Sequence, residues 1–138
     1  MVHKEMNKEL SSLLDELGQK AKIASSILNT ASSDQKNKFF DLAIESIQKD
    51  ADTILEANQA DIQQAKENNK DAAFIDRLAL DNERLQGICN TLEAIKSFED
   101  PVGKVLATWD RPNGLNISRV ATPLGVIGLI FESRPNVA

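Results

Sequence analysis

Residues 123–138 read PLGVIGLIFESRPNVA, and the reading of this stretch decides the fold. Val126, Ile127, Leu129, Ile130 and Phe131 show no polar alternation, the pattern of a strand covered on both faces, as in a parallel sheet flanked by helices. A strand of that kind needs partner strands. Leaving its five large apolar side chains in water would forfeit about 1.5 to 3 kcal/mol each, roughly 10 kcal/mol together, as much as the net stability of a typical domain. Cover is expected from the chain's own helices, from another chain or from sequence beyond Ala138. Ligands of open α/β sheets bind just past the carboxyl ends of the strands. The chain therefore stops where a binding site would begin, and it is expected to be the front part of a larger enzyme.

Directly after the strand come Glu132, Ser133, Arg134, Pro135 and Asn136. An asparagine amide can donate to a developing oxyanion, and an arginine can hold a phosphate or carboxylate bidentately. The same residues also suit a helix entry, with Asn136 as N-cap and Arg134 as a solvated or ion-paired surface group. Position alone favours neither reading. Gly125 and Gly128 do not match G-x-G-x-x-G, so no ordinary Rossmann phosphate loop is read here. They are read as permitting close backbone approach where the strand begins.

Upstream, Lys104–Trp109 and Leu115–Ala121 carry β-type residues on either side of Arg111-Pro112-Asn113-Gly114, which reads as a β-hairpin. An isolated two-stranded hairpin is marginal in water, so it is expected to pack on helices, to extend another sheet, or to pair with a neighbouring subunit. Before Pro101 the chain reads as helices. Leu10, Leu13, Leu14, Leu17, Ala21, Ala24 and Leu28 form one stripe on a long first helix. Ser32 and Gln35 have the form of a capping box opening a second stripe from Phe39 to Leu55. That stripe continues, with or without a break near Asp50, through Ile62 and Ala65 to the polar run Glu67–Lys70. A short helix around Ala72–Leu78 follows, and Asp81 can cap a last helix bearing Leu85, Ile88, Cys89, Leu92, Ile95 and Phe98.

With 41% apolar and 27% charged residues the 138-residue chain has ordinary globular composition. Its longest apolar run, Gly125–Phe131, is far short of the roughly 20 residues a membrane helix needs, and Met1–Lys8 has no signal-peptide core. A net charge of −5, with basic residues scattered among acids, argues against a nucleic-acid partner. One cysteine cannot form an internal disulfide and fits a reducing cytoplasm. Cys89 falls on an apolar helix stripe and is read as a small buried hydrophobe, not a nucleophile. His3, the only histidine, is read as lying in a frayed terminus, so no catalytic triad, no His-based metal site and no metal ligand set is assigned. Trp109 and the phenylalanines are read as packing residues.

Four segments in order, ILEANQADIQQAKENN (54–69), IDRLALDNERLQGI (75–88), DPVGKV (100–105) and RVATPLGVIGLIFESRPNV (119–137), resemble the N-terminal third of γ-glutamyl phosphate reductase, or glutamate-5-semialdehyde dehydrogenase, of the aldehyde dehydrogenase superfamily. The resemblance runs from about Ser32 onward; the first helix matches only in character. It implies an α/β fold in which residues 1–100 are the helical part of the cofactor-binding domain and 101–122 a hairpin serving as oligomerisation arm. Residues 123–138 would then be the first core strand and active-site loop of a truncated Rossmann-like domain. It implies a cytoplasmic oxidoreductase of proline biosynthesis that uses NADPH to convert L-glutamyl 5-phosphate to L-glutamate 5-semialdehyde and phosphate. A cysteine thiolate would attack the acyl phosphate, and hydride would reduce the resulting thioester. Asn136 matches the loop asparagine placed to stabilise the oxyanion. Phe131, Glu132, Ser133, Arg134 and Pro135 match backbone lining the nicotinamide and ribose side of the cofactor cleft. Residues 102–122 would support a homo-oligomer. Cys89 does not match the family's nucleophile, so the 138-residue chain alone is expected to be inactive. The alternative is a non-catalytic helical interaction or oligomerisation module left from a truncated gene.

Overall fold

The computed structural model describes residues 2–137, with side chains from residue 9 onward, so the His3 side chain lies outside the described residues. The elements run in order α1 (Val2–Leu28), α2 (Ser33–Lys49), α3 (Ala51–Glu67), α4 (Ala72–Leu78), α5 (Asn82–Lys96), β1 (Val105–Asp110), β2 (Asn116–Val120) and a 3-10 turn over Pro135–Val137. The chain forms two compact units. One joins the stretch up to Ser32 with Asp100–Gly128, and the other joins Ser33–Glu99 with the stretch from Leu129.

In the first unit α1 carries its predicted stripe, but Leu10, Leu13, Leu14, Leu17 and Leu28 are all more than half exposed. The hairpin forms where Pro112 and Asn113 predict it. β1 and β2 pair antiparallel with Trp109 opposite Ile117 and Asp110 opposite Asn116, and the register shifts between Val105 and Ala107. Pro112 sits second in a four-residue turn, where its fixed φ is pre-set, and the turn closes with the Gly114 amide donating to the Arg111 carbonyl at 2.9 Å. Gly114 has a φ of 84°, a left-handed conformation that a side chain at this corner would disfavour. Across the strands the Asn116 amide donates to Asp110 Oδ1 at 2.9 Å.

The second unit is a helical cluster in which α2 packs on α5, and α3 on α2, α4 and α5. The second apolar stripe does break at Asp50, so α2 and α3 are separate helices joined by one residue. α3 turns inward the face bearing Asn58, Ile62 and Ala65, and α5 the face bearing Leu85 and Cys89, each set at helical spacing. The end of α3 is a Schellman motif: Lys70 N donates to Ala65 O and Asn69 N to Lys66 O, with Asn69 at a φ of 53°. Asp71 and Asp81 then cap the next two helices, accepting from Phe74 N at 2.6 Å and Arg84 N at 2.7 Å. Lys96 of α5 is ion-paired with Asp41 of α2.

The stretch from Pro123 to Phe131 departs from expectation. It belongs to no strand, and the large side chains from Leu124 to Phe131 are all about half exposed or more, with Leu124 at 89% and Ile130 at 101%. A strand is defined by its ladder, and the only sheet among the described residues is the two-stranded hairpin. With no partner to accept its amides, an apolar sequence has strand propensity and no strand. The close-approach reading of Gly125 and Gly128 fails likewise, because a Cβ at either would meet nothing within 4 Å. What Gly125 supplies is backbone freedom, at a φ of 88°.

Candidate functional site

The helical unit encloses an open groove of about 930 Å³, within the size range of small-molecule and cofactor pockets. Its floor is apolar, built from Phe39, Ala43 and Ile47 of α2 and Ile88, Leu92 and Ile95 of α5. The i, i+4 spacing on α2 and the i, i+4, i+7 spacing on α5 put these residues on one face of each helix. The rim is polar: Asp76 and Arg77 come from α4, Arg84 from α5, and Arg134, Pro135 and Asn136 from the C-terminal turn.

Three of the six residues singled out in the sequence thus reach the groove. Phe131, Glu132 and Ser133 do not line it. Ser133 is half-buried with a φ of 52°, a left-handed conformation that reverses the chain just before Arg134. Asn136 is not an N-cap. It lies inside the 3-10 turn, which closes with Val137 N donating to Arg134 O at 3.0 Å, so its side chain is not committed to capping and is exposed at the rim. Cys89 is 3% exposed among Ile47, Ala51 and Leu85 and is not on the groove.

Charges on the rim divide into a paired and an unpaired set. Arg84 Nη2 meets Asp76 Oδ1 at 2.8 Å, and Nη1 donates to the carbonyls of Ala79, at 2.9 Å, and of Asp76. The hydrogen bond to Asp76 holds the Arg84 guanidinium above its ordinary pKa. Arg77 and Arg134 make no ion pair among the described residues. The groove therefore offers an apolar bed, two guanidinium groups with no ion pair among the described residues, and one carboxamide. That combination suits a ligand with an apolar body and an anionic or carbonyl end. Among the described residues no group of three His, Cys, Asp or Glu side chains could hold a metal ion.

Sequence reasoning passed over Asn58, whose amide donates to Leu78 O at 2.9 Å and whose Oδ1 accepts from Leu80 N at 2.7 Å. The signal was present: Asn58 interrupts the apolar series Ile54, Ile62, Ala65 at a position facing inward.

No protein-family model matches the chain. Curated relatives do. The γ-glutamyl phosphate reductase of Brucella suis biovar 1 is 49% identical over 132 residues, covering 96% of this chain and 31% of the relative. That of Brucella anthropi is 47% identical over 129 residues, covering 94% and 30%. Among solved structures, the Thermotoga maritima γ-glutamyl phosphate reductase superposes with a TM-score of 0.86 at 39% identity, over 90% of this chain and 30% of that one. The Saccharomyces cerevisiae enzyme gives 0.84 at 31% identity, over 88% and 31%. Five helices followed by an antiparallel hairpin are thus an α/β arrangement shared with the opening part of a reductase. The chain matches the N-terminal part of γ-glutamyl phosphate reductase. It spans a little under one third of the length of the curated relatives it matches.

Proposed function

We propose that the chain is the N-terminal portion of an NADPH-dependent reductase that converts L-glutamyl 5-phosphate to L-glutamate 5-semialdehyde and phosphate, in proline biosynthesis. The observation that carries this reading is the convergence of Arg134 and Asn136 on the rim of the groove, in a chain nearly half identical to enzymes of that name. The reaction passes through an anionic tetrahedral centre at the substrate carbonyl, and the Asn136 amide is suited to donate to its oxygen. Arg134, without an ionic partner among the described residues, is suited to hold a phosphate or carboxylate.

The residues present fit NADPH in part. The chain offers a cation and a carboxamide beside an apolar bed, which suits the nicotinamide and ribose side, and its sequence has no glycine-rich loop for the pyrophosphate. Of the stretch Phe131–Pro135, Arg134 and Pro135 line the groove and would hold that side there, and the cofactor would supply hydride. Cys89 is buried against α2 and α3, out of reach of a substrate in the groove, so the nucleophilic thiolate comes from elsewhere in the complete enzyme and the 138-residue polypeptide alone does not turn over. The hairpin over residues 102–122 serves as an edge for pairing with a second subunit.

The test is a fusion of this chain to the remaining portion of the Brucella suis relative. The fusion is expected to oxidise NADPH in the presence of glutamyl phosphate, and Asn136→Ala to lower kcat about 10²- to 10³-fold. Unchanged turnover in Asn136→Ala would refute the oxyanion role. NADPH-dependent phosphate release by the unfused 138-residue chain would refute its dependence on the remainder.

A further inference from the structure

Side chains hold four main-chain groups of the groove wall formed by the elbow between α4 and α5. Leu78 O and Leu80 N are bonded by the two ends of the Asn58 carboxamide. Ala79 N donates to Ile75 O at 2.9 Å. Ala79 O and Asp76 O are both taken by Arg84 Nη1. Asp76, Ala79, Leu80 and Arg84 all line the groove that Arg134, Pro135 and Asn136 also line. An apolar residue at 58 would continue the α3 stripe and avoid burying an amide. A buried carboxamide bonded at both its nitrogen and its oxygen instead selects one backbone arrangement, because alternatives leave it unpaired. The Arg134–Asn136 turn has little rigidity of its own. It is closed by one main-chain hydrogen bond, and no regular element precedes it from Ala121 onward.

We propose that Asn58 and Arg84 are positioning residues for Asn136: they lock the elbow, and the locked elbow fixes the shape of the groove whose lining the Arg134–Asn136 turn shares. This rests on the reductase reading for its catalytic meaning, while the placement of the turn can be measured without activity.

The experiment is amide exchange and ¹⁵N–¹H resonance mapping of the 138-residue chain. Asn58→Ala is expected to speed exchange at the Leu80 and Val137 amides about tenfold and to shift the Arg134, Asn136 and Val137 resonances. Ile62→Ala, on the same buried face of α3 but bonded to neither side of the elbow, is expected to lower the unfolding midpoint and leave those resonances in place. Unshifted resonances in Asn58→Ala, or equal shifts in Ile62→Ala, would overturn the proposal. Should Asn58→Ala not fold, Asn58→Asp decides. Its neutral carboxyl can donate to Leu78 O while accepting from Leu80 N, and its ionised form cannot donate. The turn resonances should return toward their original positions as pH falls through the titration of the introduced carboxyl, and their indifference to it would overturn the proposal. Activity of Asn136→Ala in the fusion tests the functional reading separately, so either can fail alone.

Discussion

The seam between α3 and α5 and the stretch from Leu124 to Phe131 both present large apolar side chains and are opposite in outcome. Leu85 is 5% exposed, whereas Ile127 is 69% exposed. The helices satisfy their own backbone groups, so an apolar face can be buried by any neighbour of suitable shape. A strand cannot form until another strand supplies donors and acceptors. Element type is thus readable locally for a helix and only jointly for a strand.

The largest test of that contrast sets Leu85→Ala against Ile130→Ala in urea denaturation of the 138-residue chain. Leu85→Ala is expected to cost about 2–5 kcal/mol by emptying a buried site, and Ile130→Ala to stay within about 0.5 kcal/mol. An equal loss at Ile130 would show that the stretch is covered in solution. Next comes the start of α5. Asp81→Ala should lose about 1 kcal/mol, because the Arg84 amide loses its cap, whereas Asp81→Asn should retain most of it. Similar in size, Gly114→Ala should cost roughly 1 kcal/mol through its left-handed φ and show as a lower midpoint for the hairpin unit.

The smallest expected effect is electrostatic. The hydrogen bond that Lys96 donates to Asp41 holds its ammonium above the ordinary pKa of 10.5 in the folded chain. Its contribution is therefore fully present below that ordinary value and is lost as pH rises through the higher folded one. The unfolding midpoint should fall above about pH 10.5 more steeply in the native chain than in Lys96→Met, and the two curves should run parallel at neutral pH. Parallel curves throughout would place the pair among surface contacts of no consequence.

Much of the architecture was legible because its signals are short-range. Asp81 ahead of an apolar stripe announced α5, and Pro112 with Gly114 announced the hairpin turn. The break at Asp50 was left open because nothing in the residues on either side forbids a continuous helix. Val126–Phe131 lies uncovered in this chain, because five apolar residues specify a need for cover and not its source. For the site, position at the end of an apolar stretch drew attention to Arg134–Asn136, and the groove lies there. Its other wall was invisible, since Asn58 and Leu80 are 22 positions apart and no local pattern links them.

Cys89, the single thiol of the chain, sits sealed in the seam of the helical unit. It is a built-in clock: with the residue only 3% exposed, a thiol reagent labels it when the packing around it opens. The labelling rate at low denaturant therefore reports local opening at that one place, with no dye or tag introduced. It also means that a cysteine engineered onto the hairpin or the groove rim can be modified selectively in the folded protein, with the native thiol silent in the background.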